Sequence, residues 1–215
     1  MIILGIETSC DETACGIVTS DGKLLANILY SQIEEHLPYG GVVPEIAARA
    51  HLEKIGPIVT SALREAQLAL QEVDLIAYTR GPGLMGPLLV GASFARGMAS
   101  SLGIPSAGIN HLEGHIAAVR LSQPELNLPF VALTVSGGHT QLDYFKADGT
   151  VEPLGRTRDD AAGEAFDKGG KLLGLGYPAG PIISRRAAEG NRKFISFPRA
   201  FRGVDTLDFS FSGFK

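Results

Sequence analysis

The chain has 215 residues and a net charge of −4, enough for one generous domain or two small ones, and no bulk excess of positive charge that would draw nucleic acid to the whole surface. Hydrophobic residues make up 45% and charged residues 20%, which excludes a disordered chain and fits a well-cored soluble protein. No apolar run approaches the ~18 residues of a membrane span.

In chain order, "MIILGIETS" lacks the basic and long apolar regions of a signal peptide and reads as a strand; a cytoplasmic protein without a membrane partner is expected. Polar "CDET" follows, then apolar "ACGIVTS", the turn dipeptide Asp21-Gly22 and "KLLANILYS". That is strand, polar turn, strand, hairpin turn, strand. Cys10 and Cys15 are the only cysteines; they are weak grounds for a zinc site or a disulfide framework and read as reduced structural thiols. The stretch from Pro44 to Leu70 is mostly helical, with Pro44 suited to a first turn, Glu45 and Arg49 a surface pair, and Pro57 dividing the region into two helices. "VDLIAYT" is a buried strand, "RGPGLMGPLLVGASFARGMASSLG" a Gly-rich turn entering a helix, and "IPSAGIN" another short strand. From Pro129 the opening plan returns: "FVALTVS", the polar turn "GGHT", "QLDYFKA", the turn Asp148-Gly149, then "TVEPLG". The same three-strand plan twice, with helices and strands alternating between, predicts an α/β protein of two similar domains. The expected spans are 1–125 and 126–215.

"NHLEGHIAAVRL" holds two histidines four apart. On a helix His111 and His115 lie roughly 40° apart, so both can reach one ion. The zinc-protease pattern places its glutamate directly after the first histidine. Here Glu113 follows by two, roughly 200° round the helix, and points away. A metal pair at the end of a strand, where α/β proteins bind ligands, and a helix with two ordinary histidines both remain open.

"TVSGGHT", Thr134 to Thr140, has the make-up of a turn that offers backbone N–H groups to phosphate, with Gly137 and Gly138 allowing close approach and Ser136 and Thr140 supplying hydroxyls. "ETSCDET" is its acidic counterpart and suits a cation or a polar substrate. "DDAAGEAFDKGGKLLGLGYPAGP", from Asp159, opens as a helix and ends in a Gly/Pro-rich loop. Asp167 is expected on the helix and Gly180 in the loop, where an acid can bind ribose hydroxyls; a solvated helix with a turn is the plainer alternative. From Arg185 to Arg202 six basic residues face one acid, Glu189, with Phe194, Phe197 and Phe201 interleaved. This is either a solvated surface or an RNA-facing strip.

Together "GIETSCDET", "GGVVPEIAARAH", "GPGLMGPLLVGA", "NHLEGH", "LTVSGGHTQL", "DDAAGEAFDK", "LGLGYPAGP" and "LDFSFSGFK" resemble, from end to end of the chain, the TsaD family of tRNA threonylcarbamoyladenosine synthesis proteins, once labelled O-sialoglycoprotein endopeptidases. The resemblance implies a duplicated fold of the actin, sugar-kinase and Hsp70 type. It implies transfer of a threonylcarbamoyl group from threonylcarbamoyl-adenylate to N6 of adenosine 37 of tRNA. It makes His111 and His115 ligands of an iron or zinc ion, Thr134, Val135, Ser136, Gly137 and Gly138 the lining for the adenylate's phosphate and acyl groups, and Asp167 and Gly180 the holders of its ribose and adenine. TsaB and TsaE are the implied partners, with TsaC supplying the adenylate and a homodimer as a further arrangement. Family members are longer, and a third metal ligand and an adenine-contacting asparagine are expected beyond Lys215. A truncated chain, inactive alone, is therefore expected. The rivals are a non-catalytic dimerisation or docking module and a metalloprotease.

Overall fold

The computed structural model describes residues 1–123 and 125–215, and the chain divides into two compact units, Met1–Pro124 and Glu125–Lys215. In the first unit strands β1 (Ile2–Glu7), β2 (Glu12–Thr19) and β3 (Leu24–Ser31) form an antiparallel meander. β4 (Leu75–Gly81) and β5 (Ser106–Asn110) then join in parallel on the other side of β1. The sheet order is β3-β2-β1-β4-β5, a mixed sheet whose three parallel strands end at the same edge. Alternation in β1 and β2 turns Leu4, Ile6, Cys15 and Ile17 to one face, where they meet Ile55, Val59 and Ala62 of helix α2 and Ala95 and Ala99 of helix α3. A short helix, α1 (Ile33–His36), precedes α2 (Pro44–Ala66), and α3 (Met85–Leu102) and α4 (His111–Ser122) each lie next to β5 in the chain.

α2 corrects one expectation. Pro57 does not divide the region; the helix runs through it. Pro57 is exposed, so the carbonyl that loses its N–H partner faces water and not the core. The buried row Ala47, Ala50, His51, Ile55, Val59 and Ala62 continues on both sides of it, and burial of that row against the sheet outweighs one missing hydrogen bond.

In the second unit β6 (Phe130–Val135), β7 (Thr140–Phe145) and β8 (Val151–Arg156) repeat the antiparallel meander. The repeat extends to the tight turns: Gly22 and Gly149 sit at φ 88° and 84°, the left-handed region that glycine tolerates. Gly22 and Gly149 donate to the carbonyls of Thr19 and Lys146, three residues back, at 2.9 and 3.0 Å. Residues 207–211 run beside β8: Phe209 donates to the Arg156 carbonyl, and Arg158 donates to that of Phe209.

Helix α5 spans Ala162–Leu172, and a further helix, α6, spans Ala179–Ala188. Two expectations change here. Asp159 and Asp160 precede the helix rather than opening it. Gly180 lies in the first turn of α6 and not in a loop. Glycines and Pro178 mask α6 in the sequence, yet Pro178 stands at its N-cap, where a missing N–H matters least. Gly170 of α5 explains the pairing of the two helices: a Cβ there would lie 2.1 Å from the Ala179 Cβ, so only glycine lets them approach this closely. Among the described residues no helix is long and apolar enough to cross a membrane. Cys10 and Cys15 are free thiols, the second buried in the core.

Candidate functional site

Three strand ends build the site in the first unit. β1 ends at Glu7, β4 carries Thr79 two residues before its end, and β5 ends at Asn110. The Asn110 side chain accepts hydrogen bonds from the N–H groups of Leu112 (2.9 Å) and Glu113 (3.4 Å). It is the N-cap that starts α4 on the spot and sets His111 in the first helical position. His115 follows one turn later on the same side. The two Nε2 atoms stand 3.0 Å apart.

That distance fits a shared ion. Two imidazole nitrogens each about 2.0–2.1 Å from one metal are separated by about 2.9–3.4 Å at tetrahedral to octahedral angles. On its other edge, His111 Nδ1 lies 3.3 Å from Glu7 Oε2 and 3.2 Å from Ser9 Oγ. A carboxylate on Nδ1 favours the tautomer with its proton there, which leaves the Nε2 lone pair for a cation. Glu7 is itself held: Ser9 N–H donates to Oε1 at 2.5 Å, and the Thr79 hydroxyl donates to Oε2. Burial works to raise the Glu7 pKa, but the hydrogen bonds from His111, Ser9 and Thr79 prevail and bring it to about 2. Glu7 is therefore a fixed anion. Burial, then the nearby His111, lowers the pKa of His115, which favours the neutral imidazole that metals bind.

The Gly-rich turn before α3 secures this arrangement. Thr8 Oγ1 donates to the Pro87 carbonyl at 2.9 Å and Leu84 N–H to the Ser9 carbonyl at 2.8 Å. A Cβ at Gly91 would come within 2.2 Å of Thr8 Oγ1. The glycine thus lets α3 lie against the residues that follow Glu7. The acidic turn that begins at Glu7 was read from sequence as suited to a cation, but the pairing of Glu7 with His111 and the parts of Ser9 and Thr79 were not. The signal was an acid closing an apolar strand, and "ETSCDET" blurred it by placing Asp11 and Glu12 close by.

Glu113 is exposed and its carboxylate has no hydrogen bond or ion pair among the described residues. Glu7, not Glu113, addresses the imidazoles. Among the described residues no group of three or more His, Cys, Asp or Glu is placed to hold a metal. Glu7 reaches the Nδ1 side of His111, so it does not join the Nε2 atoms as a third donor.

In the second unit, Thr134, Val135, Ser136, Gly137 and Gly138 run from β6 into its turn. Thr134 is buried at 9% and Val135 is 55% exposed, as strand alternation requires, so the run does not present one face. Ser136 closes the turn: its N–H donates to the His139 carbonyl at 2.8 Å. Its hydroxyl accepts from His139 N–H at 3.0 Å and Gly138 N–H at 3.3 Å. Gly137 and Gly138 are exposed, and a Cβ at either would meet nothing within 4 Å. Behind the turn, the first N–H groups of α5 are already engaged. Ala162 donates to Thr140 Oγ1 at 2.9 Å and Gly163 to the Ser136 carbonyl at 3.1 Å. Asp167 Oδ1 accepts the Ala179 N–H at 2.8 Å, so this carboxylate pins the start of α6 and places Gly180 one residue further on.

Comparison with known proteins follows this geometry. Residues 23–215 match the family model described as TsaD, tRNA N6-adenosine threonylcarbamoyltransferase. A curated protein of that description from Syntrophus aciditrophicus is 55% identical over 215 residues, covering 100% of this chain and 63% of its own. Another, from Clostridium botulinum, is 53% identical over 213 residues, covering 99% and 63%. The chain thus spans 63% of the length of these relatives. Among solved structures, the ethanolamine utilization protein EutJ from Carboxydothermus hydrogenoformans matches with a TM-score of 0.50 at 12% identity, covering 88% of this chain and 63% of that one. That likeness is one of fold alone: an α/β plan of mixed sheet and helices.

Proposed function

The chain belongs to the TsaD family of tRNA N6-adenosine threonylcarbamoyltransferases, and from that premise we propose that it serves transfer of a threonylcarbamoyl group from threonylcarbamoyl-adenylate to N6 of an adenosine in tRNA. The observation that carries the reading is the imidazole pair, His111 Nε2 and His115 Nε2 at 3.0 Å, backed by Glu7 at the ends of parallel strands.

In the reaction the adenine amine attacks the threonylcarbamoyl carbonyl carbon, a C–N bond forms, the C–O bond to the phosphate breaks, AMP leaves, and the amine's surplus proton passes to solvent. The amine is a weak nucleophile and the mixed anhydride a reactive acyl donor, so the protein's task is to position the two. His111 and His115 would hold an iron or zinc ion, which when bound would supply positive charge that polarises the acyl donor. Glu7 fixes His111 in the ligating tautomer. The open Gly137-Gly138 turn receives the adenylate's phosphate, with Thr134, Val135 and Ser136 setting the approach. Asp167 has its Oδ1 on Ala179 and offers the other oxygen to a ribose hydroxyl, beside Gly180. TsaB and TsaE are the partners this reading brings with it, TsaC the source of the adenylate, and tRNA the acceptor.

The test is incorporation of labelled threonine into tRNA by the 215-residue chain with TsaC, TsaB and TsaE added. Product that disappears on His111→Ala supports the reading. Product from a full-length relative but none from this chain leaves it only the docking role. Peptide cleavage has no support from the site, because Glu113 does not reach the histidines.

A further inference from the structure

The basic stretch that follows α6 has no part in the site described above. From Gly190 to Val204 there are four cations, Arg192, Lys193, Arg199 and Arg202, and no acid, in a chain whose net charge is −4. All four are exposed, and none enters an ion pair among the described residues. Arg185 and Arg186 differ: they sit in the last turn of α6, where the helix dipole accounts for them.

Two aromatic rings stand out between these cations. Phe194 is 81% exposed and Phe197 60%, each presenting a large apolar face to water. Phe197 lies against Phe214 with centroids 5.8 Å apart, and the backbone at Phe194 closes a turn, its N–H donating to the Asn191 carbonyl at 3.0 Å. Phe201 lies under the Arg158 guanidinium at 4.8 Å. Ser196, Phe197, Pro198, Arg199 and Arg202 line a cavity of about 590 Å³, within the ~300–1,000 Å³ of small-molecule sites and roomy enough for a nucleobase.

We propose that Gly190–Val204 is a docking surface for a single-stranded segment of RNA, with Arg192, Lys193, Arg199 and Arg202 on its phosphates and Phe194 and Phe197 stacking on its bases. Cations that track a backbone, interleaved with exposed rings, are what a flexible polyanion with free π-faces needs. An anionic membrane calls for an amphipathic helix, and this segment is neither helix nor strand. An acidic protein would satisfy the charges but leave two arginines and a ring converging on one cavity without a use. The proposal rests on the tRNA-modifying reading and adds where the RNA lies.

The experiment is fluorescence anisotropy of the 215-residue chain with a labelled anticodon stem-loop RNA over a salt series. An acidic peptide and phosphatidylserine vesicles serve as the other arms. Reversing the four charges to glutamate weakens RNA binding at least tenfold and lowers the salt slope by about 3, at about 0.7 for each phosphate no longer neutralised. Phe194→Ala with Phe197→Ala weakens it about fivefold or more with the slope unchanged. The positions are exposed, so the thermal melt should not move. If the glutamate set does lower it, a glutamine set at the same four positions gives the same direction of change. RNA affinity unaffected by both sets overturns the proposal, and so does equal binding of peptide or vesicles that ignores loss of the rings. His111→Ala separates the two ideas: it removes threonine transfer and leaves RNA binding intact. RNA binding through this segment by a chain that supports no transfer under any condition sinks the transferase reading and not the surface.

Discussion

Glu7 Oε2 and His111 Nδ1 lie 3.3 Å apart although 104 residues separate them in the chain. The contact joins the end of β1 to the start of α4 and turns the Nε2 edge of His111 toward His115. Removing the carboxylate with Glu7→Ala should weaken zinc or cobalt binding about 10–100-fold, the usual effect of losing a ligand's outer partner. Glu7→Gln should fall between, because its amide oxygen still accepts the Nδ1 proton without the charge. Titration calorimetry reads both. Equal affinity for the parent and Glu7→Ala would show that the imidazoles orient without Glu7.

What was legible in the sequence follows from the range of the forces involved. The two meanders were readable because alternation and the Asp-Gly turns are local, and Gly22 and Gly149 adopt nearly the same φ. The histidine pair was readable because four residues make one helical turn. The acid at Glu7 was legible but its contact with Thr79 was not, because only the pairing of β1 with β4 brings the two together. Pro57 misled because its cost depends on whether the freed carbonyl meets water, which a sequence does not state. α6 was hidden because Pro178 and Gly180 at its start read as a loop, while the contact that seats it, Gly170 of α5 against Ala179, is not visible in the local sequence.

The two adjacent glycines of α5 make a matched test. A methyl group added at Gly169 would meet nothing within 4 Å, whereas one at Gly170 would meet Ala179 at 2.1 Å. Gly169→Ala should stabilise the protein by about 1 kcal/mol through helix propensity. Gly170→Ala should destabilise it by about 1–3 kcal/mol through overpacking that exceeds the same gain. Urea unfolding of the two variants decides, and a shift of the same sign in both would mean that α5 and α6 do not pack as described.

Asp167 is asked to do two things, and its variants separate them. Asp167→Ala removes the acceptor of the Ala179 N–H and should destabilise the start of α6 by about 1 kcal/mol. Exchange of the Ala179 amide should speed up by about fivefold as a result. Asp167→Asn keeps an acceptor and should largely restore protection. If Asp167→Asn also binds the adenylate as tightly as the parent, the ribose role falls while the structural one stands.

His51 sets a pH dependence of its own. It is fully buried, at 0% exposure. Its Nε2–H donates to the Cys10 carbonyl at 3.0 Å, so Nδ1 is the acceptor for the Thr13 hydroxyl at 2.8 Å. That network holds a neutral ring. Burial lowers its pKa below 6.5, aided by His36 and opposed by the Cys10 carbonyl and by Glu7 and Asp11. Below pH 6.5 the unfolded chain therefore takes up a proton that the folded chain refuses, and stability declines as pH falls until the folded-state pKa is passed. Above 6.5 this residue contributes no slope. His51→Gln should lower stability at every pH, since a buried network is broken, yet flatten the decline below pH 6.5. Melting temperatures of both proteins from pH 7.5 to 5 measure this, and an unchanged slope in the variant would assign the acid sensitivity to other groups.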